Sequence, residues 1–533
     1  MNCSHHLIAT RSSSSLLASL WIVGVLLATS GLAQTLPTEE LSGTTWVSPI
    51  PKRVANNPQW SVRVWFDKQL LGDGEAYLRR AKELQGIPRR ELRTRSVATL
   101  KQLSQRSFAD AKPELERLIE KQLIRDVHPH WIVNGFRCNV TQEGLEALKG
   151  VTGVKKIFVT SLPTRPLISR GKLAPEPLDS DRKTFDPDRY QHPWYINALN
   201  AKRTWSELGI TGKGTLNVVH DFNFSYPDSL RANLAPCVGY NFNANSKSLR
   251  VQPNSSSNQA LHGSMCAAII CGTGTNQSPY EFGIAPEARW AGVIARGMIE
   301  DSIEWAVEQQ ADTYSMSFSQ PGLMEFRSHW RKIMEHGSLC GVFFVSGAGN
   351  FAQTVKQPLQ MRTPEDIPHV VFAAAGVKRD LSRTPFSSQG PVEWETEHYR
   401  DGIVAKPEVC AFNFGLPKLL PDGKVLPRAI NGNSFAGPMF CGSIALMLSA
   451  DPDLLPWELR EIIMETATDI GPPGVDDQTG HGLINCYRAV KEVLRRKAIR
   501  EGQDPAAFAP QPSDKFDPAA YLRQLQKSPE VFQ

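Results

Sequence analysis

The strongest constraint in this 533-residue chain is one short stretch, Asn431-Gly-Asn-Ser-Phe-Ala-Gly-Pro438, which runs straight into the apolar segment Met439 to Leu448. Small residues and glycine make a turn, and an unbroken apolar run of helical length after it has to be buried on every side. Ser434 therefore stands where a turn delivers a hydroxyl to the start of a buried helix. A serine in that place can simply cap the helix. A nucleophilic serine needs three partners: a histidine to take its proton, a carboxylate to orient that histidine, and donors for the oxyanion.

The chain offers one candidate for each. Thr215-Leu-Asn-Val-Val-His-Asp221 reads as a buried strand ending in a carboxylate, and His262-Gly-Ser-Met-Cys-Ala-Ala-Ile-Ile270 as a histidine opening a small-residue helix. The apolar Gly341 to Val345 leads into Ser346-Gly-Ala-Gly-Asn350, and Thr313 to Phe318 reads as one more strand. Helical stretches such as Asp301 to Gln309 separate these strands. From His192 onward the pattern predicts an α/β fold, a parallel sheet wrapped by helices on both faces. Function in such sheets gathers at the carboxyl ends of strands, where Asp221 and Asn350 fall. The chemistry then assigns His262 as base, Asp221 as its orienting acid, Ser434 as nucleophile and the Asn350 amide as oxyanion donor.

The order Asp221, His262, Asn350, Ser434 resembles that of the subtilases, the subtilisin-like serine proteases. Gly283-Ile-Ala-Pro, Pro385-Phe-Ser-Ser-Gln-Gly-Pro391, Lys406-Pro-Glu-Val and Gly480-His-Gly-Leu-Ile-Asn485 resemble further landmarks of that family. Asn241-Phe-Asn-Ala-Asn and Asp312-Thr-Tyr-Ser-Met-Ser-Phe are similar to the kexin and furin branch. The resemblance implies a subtilisin-like fold and a serine endopeptidase acting on polypeptides, with no cofactor required for the chemistry. It also implies structural calcium, for which Asp228, after Pro227, is a candidate ligand. A lone aspartate does not make a metal site, and none is assigned.

An α/β-hydrolase would carry a Gly-x-Ser-x-Gly elbow, but position 436 is Ala. The departures from the subtilase pattern are Phe222-Asn223 after the acid, Met265 in place of a second histidine, and Asn433 before the serine. They leave a second reading, a degenerate subtilase that binds peptides without cutting them. Ser317 to Leu323 contains no carboxylate, so apolar or uncharged residues before the cut are expected over dibasic ones.

The rest of the chain sets the organisation. Residues 1–33 have weak positive charge, an apolar run from Leu16 to Ala28 and small residues after it, which is the pattern of a signal peptide for export. The run falls short of the ~20 residues needed to span a bilayer. Residues 34–57 read as a linker, 58–160 as a small α/β unit, 161–191 as a Pro-rich connector, 192–495 as the catalytic domain and 496–533 as a tail, a short helix with flexible flanks. His130 to Phe136 reads as a strand and Thr141 caps the helix that follows. With Leu145 to Ile157, that unit resembles the subtilase pro-domain, which implies an intramolecular chaperone and inhibitor released from its tether by cleavage in the connector. A net charge of +5 gives no warrant for nucleic-acid binding. Nine cysteines permit disulfides, but they contain no Cys-x-x-Cys and no zinc pattern, and Cys266, Cys271 and Cys441 read as buried small hydrophobes.

Overall fold

Seven parallel strands organise the catalytic region, in the order Val409–Phe412, Val371–Val377, Phe343–Gly347, Thr313–Met316, Leu216–His220, Arg289–Ile294 and Leu234–Asn241. Every neighbouring pair is parallel. Central strands such as Phe343–Gly347 are buried along their whole length, as a sheet covered on both faces requires. One face carries the helix Asn433–Ala450, of which all but Ser434 and Ser449 are buried. The fold class is thus the α/β sheet the pattern predicts. This computed structural model describes residues 35–162, 185–242, 262–295 and 297–527. The expected signal peptide, residues 1–33, and most of the expected connector lie outside those residues.

An N-terminal sheet of five strands runs in the order Trp46–Val47, Val154–Thr160, Trp60–Phe66, Gly135–Val140 and Ile124–His130. Its central strand alternates in burial logic rather than in exposure. Trp60, Val62, Val64 and Phe66 join a core of the unit's own with Ala111 and Leu115 of the long helix Arg89–Glu120. Trp65, on the other face, belongs to the core of the catalytic region. Thr141 caps the helix Gln142–Leu148 by accepting from the Gly144 amide at 3.0 Å.

Three sequence expectations are corrected. Residues 35–57 are not simply a linker: Trp46–Val47 adds an edge strand beside Lys156 and Ile157, and Leu36 and Leu41 are buried. Their polar, Pro-containing surroundings hid these anchors. Trp131 to Asn134 is the turn between two antiparallel strands, not a strand, because the Glu304 carboxylate takes the Trp131 and Ile132 amides at 2.6 and 2.9 Å. The described part of the tail folds back on the protein: Asp514 is buried against Lys491 at 2.7 Å, and Tyr521 of the helix Pro518–Lys527 is buried too. Among the described residues no helix is long and apolar enough to cross a membrane.

Candidate active site

Asp221 follows directly on the strand Leu216–His220, and its amide continues the ladder to the Val293 carbonyl at 2.9 Å. The side chain is almost wholly buried and accepts from the imidazole of His262, with Nδ1 2.8 Å from Oδ2 and 2.9 Å from Oδ1. His262 opens the helix His262–Cys271, and Gly263 lets that helix come this close. A β-carbon on Gly263 would stand 2.7 Å from the Asn223 carbonyl and 2.8 Å from Cβ of Asp221. With Nδ1 committed to the carboxylate, Nε2 is the nitrogen left for proton transfer.

The nucleophile end is shaped by a proline. Pro438, in the second turn of the helix Asn433–Ala450, has no N–H and cannot bond the carbonyl four residues back, which is that of Ser434. That carbonyl is taken instead by Ser317 Oγ at 2.9 Å and by Cys266 Sγ at 3.4 Å. The thiol also reaches Asp221 Oδ2 at 3.6 Å, so Cys266 joins the histidine helix, the acid and the serine turn. The Ser434 hydroxyl itself donates to the Ser317 carbonyl at a long 3.5 Å and is half-buried. Phe435, the next residue, lies 5.6 Å from the His262 ring.

Asn350 ends the loop after the strand Phe343–Gly347 and is exposed. Its Oδ1 accepts from the Asn433 amide at 2.9 Å, which leaves the Nδ2 group as the free donor beside the serine turn. Gly349 holds φ +91°, and a β-carbon there would meet Glu365 Oε1, Phe351 and Ser388 at 3.0 Å, so the loop needs glycine. The structure thus places Asp221, His262, Ser434 and Asn350 in one neighbourhood at the carboxyl ends of the strands.

The departures have local causes. Asn433 is buried and bonds in three directions: its Oδ1 takes the Asn413 amide at 2.6 Å, and its Nδ2 donates to the Gly349 carbonyl at 2.5 Å and to Ser387 Oγ at 3.0 Å. It ties the serine turn to the oxyanion loop through a side chain as well as through its amide. Met265 Sδ accepts from the Leu419 amide at 3.0 Å and so serves the hairpin Leu416–Ile430. Phe222 is half-exposed, with its ring 6.2 Å from that of His262.

Burial works against a charged His262, but the Asp221 carboxylate outweighs it and holds the imidazole pKa well above its ordinary value. Sequence reasoning missed Ser317, Cys266 as a partner of the site, and Glu365. The fully buried Glu365 accepts from Ser319 Oγ and from the Arg362 amide, and burial pushes its pKa up to about 8. A carboxyl does therefore reach the Ser317 to Leu323 stretch from elsewhere in the chain, though as a neutral acid at pH 7.

Two clusters of potential metal ligands occur among the described residues: Asp221 with His262 and Cys266, and His128 with His130 and Asp301. Nitrogen and sulfur donors do not suit calcium, which takes six to eight oxygens. In the second cluster the Arg137 guanidinium stands between His130 and Asp301, at 2.9 and 2.5 Å, where a cation would have to sit. Asp228 pairs with Arg231 at 3.5 Å. Seven cysteines, Cys138, Cys266, Cys271, Cys340, Cys410, Cys441 and Cys486, are buried thiols.

The chain is similar to several known proteins. The chain is 23% identical to bacillopeptidase F of Bacillus subtilis over 454 residues, 77% of this chain and 29% of that protein. It is 25% identical to human proprotein convertase subtilisin/kexin type 7 over 57% of this chain and 42% of that protein. Serine protease AprX of Bacillus subtilis is 26% identical over 53% of this chain and 67% of its own length. The chain thus spans less than half the length of the first two. The model of the subtilase family matches residues 189–482, more than half of the chain and the whole of the seven-stranded sheet. On that match the chain belongs to the subtilase family of serine peptidases.

Proposed function

We propose that this protein is an exported serine endopeptidase that hydrolyses peptide bonds through an acyl-enzyme on Ser434. The observation that carries the reading is the Asp221–His262 bond, with His262 beside a serine turn whose amide is tied to Asn350. In this mechanism His262 Nε2 takes the Ser434 proton as Oγ attacks the scissile carbonyl, and gives it to the leaving amine when the C–N bond breaks. Asp221 keeps the proton on Nδ1 and steadies the imidazolium. Asn350 Nδ2 and the first amides of the serine helix stabilise the oxyanion. Water then repeats the sequence on the acyl-enzyme. No cofactor takes part in these steps. Export rests on the residue pattern of 1–33, and structural calcium on the family.

The residues around the cleft support a preference for apolar or uncharged side chains before the cut, since Glu365 is neutral at pH 7. The N-terminal unit fits an intramolecular chaperone and inhibitor: the parallel sheet must close long loops before it gains stability, and a preformed unit packed beside it would lower that barrier. Refolding of 192–533 with and without 58–160 tests that role, and equal yields would dismiss it.

The test of the chemistry is a fluorophosphonate probe with peptide mapping. The label is expected on Ser434, and Ser434→Ala is expected to abolish labelling and peptide cleavage together. A well-folded protein that takes no label, or takes it elsewhere, would make this chain a peptide-binding relative that does not cut.

A further inference from the structure

We propose that Asn413 is a positioning residue for oxyanion stabilisation, acting through the side chain of Asn433 on the loop that carries Asn350. The inference rests on the reading of Ser434 as nucleophile and Asn350 as oxyanion donor. It adds a residue that touches neither the substrate nor the reacting atoms.

Asn413 follows directly on the strand Val409–Phe412, with its amide on the Val377 carbonyl at 3.1 Å. Its own carbonyl takes the Gly432 amide at 2.8 Å, so the backbone already holds the start of the serine turn. The side chain makes a separate connection. It is fully buried, and its Nδ2 donates to Asn433 Oδ1 at 2.6 Å and to Thr384 Oγ1 at 2.9 Å.

The polarity of this chain of bonds is fixed at both ends by main-chain carbonyls, which can only accept. At one end the Gly349 carbonyl takes Asn433 Nδ2 at 2.5 Å, so the Asn433 carboxamide turns its nitrogen toward the oxyanion loop and its oxygen toward Asn413. That oxygen needs a donor. At the other end Thr384 Oγ1 gives its one proton to the Gly376 carbonyl at 3.1 Å, which leaves the hydroxyl an acceptor. Asn413 therefore stands between two acceptors and supplies an N–H to each. Turned over, its amide would set oxygen against oxygen at both contacts.

The surroundings are built for the pair. A β-carbon on Gly376, in the strand Val371–Val377, would run into Asn413 Nδ2 and Asn433 Oδ1. Asn413 Oδ1 is buried with no hydrogen-bond partner among the described residues. An orphaned buried acceptor is costly, and a side chain that only filled space here would be apolar. What the carboxamide contributes is its two N–H groups.

Gly349 directly precedes Asn350. Its carbonyl also takes the Ser388 amide at 3.0 Å, and Asn350 Oδ1 takes the Asn433 amide at 2.9 Å. Asn433 thus aims both the Gly349–Asn350 peptide and the Asn350 carboxamide, and Asn413 sets the orientation of Asn433. Oxyanion donors work by being fixed before charge develops, so an Asn433 side chain free to turn would weaken that stabilisation and leave substrate binding alone.

The test compares Asn413→Leu, which puts methyl groups in place of the carboxamide, with Asn350→Ala and with the double variant. Fluorophosphonate labelling of the parent comes first, and a parent that takes no label overturns the reading of Ser434 and this inference with it. In a labelled, active parent, Asn413→Leu is expected to lower kcat on a peptide about tenfold or more with KM within about twofold, out of the roughly 10²–10³-fold that one oxyanion donor supplies. Asn350→Ala is expected to lose the full factor, and the double variant no more than Asn350→Ala alone, because Asn413 acts through Asn350. Losses that multiply, a kcat equal to that of the parent, or a change confined to KM overturn the proposal while the parent's label still stands for Ser434. Asn413→Ala takes the place of the leucine variant if that one does not fold. Failure of both to fold would give Asn413 a role in stability alone and overturn the proposal too.

Discussion

Two histidine–carboxylate pairs in this molecule have nearly the same contact and opposite chemistry. At the candidate active site His262 Nδ1 stands 2.8 Å from Asp221, and the imidazole pKa is held well above its ordinary value. Where the N-terminal sheet meets the catalytic region His329 Nε2 stands 2.7 Å from Glu300, and the imidazole pKa is lowered. Burial disfavours the cation in both. At His329 burial prevails, and Arg63 adds to it by neutralising Glu300 and repelling a second positive charge on the ring, whereas His262 gains from Cys266 as well as Asp221. A hydrogen bond to a carboxylate does not by itself make a histidine a base, because burial and a nearby guanidinium can outweigh the carboxylate's field.

The largest effect should separate the two rings by function. His262→Ala is expected to lower kcat by about 10⁴-fold or more, whereas His329→Ala should cost stability, on the order of 1–3 kcal/mol, and leave the chemistry in place. Peptide hydrolysis and denaturant melts of both variants measure this, and a dead His329→Ala enzyme that is fully folded would break the contrast.

Arg63→Met sharpens it further. Removing one partner of a buried ion pair leaves Glu300 unpaired and should destabilise the protein by about 3–5 kcal/mol. In the same variant the His329 pKa should rise toward the behaviour of His262, which NMR of the imidazole protons reads directly. An unchanged His329 would mean that burial alone, not Arg63, sets its charge.

Glu365 supplies the case of a buried carboxyl whose donors are a hydroxyl and an amide. Its folded pKa, about 8, lies above the ordinary 4.5, so its contribution to stability is fully present below pH 4.5 and is lost as pH rises toward 8. Glu365→Gln should therefore gain stability relative to the parent as pH rises, by up to about 5 kcal/mol between pH 4 and pH 9. A pH-independent difference in melting would count against the raised pKa.

The smallest effect is a slope. Only neutral His262 can take a proton, and its pKa is raised, so kcat/KM should fall about tenfold per pH unit below that pKa, with the acid limb starting above pH 6.5. Stability runs the other way for the same group: the His262–Asp221 contribution is complete below pH 6.5 and is lost as pH rises through the folded pKa. A limb that begins below pH 6 would show that Asp221 does not dominate the imidazole.

The parallel sheet and the residues of the candidate site were legible because their signals are local. A strand that ends in Asp221, a helix that begins at His262 and a glycine turn before a buried helix at Ser434 are each set by about ten neighbouring residues, through periodicity and turn chemistry. The resemblance to subtilases rested on the same short stretches. What lay beyond reach was decided by partners distant in the chain. Arg63 in the strand Trp60–Phe66 has the look of a solvent-facing position, and only Glu300, 237 residues away, makes it a buried one. Trp131 to Asn134 carries the composition of a strand, and the Glu304 carboxylate turns it into a loop. Cys266 and Ser317 became part of the site only when Pro438 left the Ser434 carbonyl free in space between them. Local pattern determines which elements form and where a reactive group is presented. The charge that group carries depends on the field of every neighbour brought near it, and this only the tertiary structure decides.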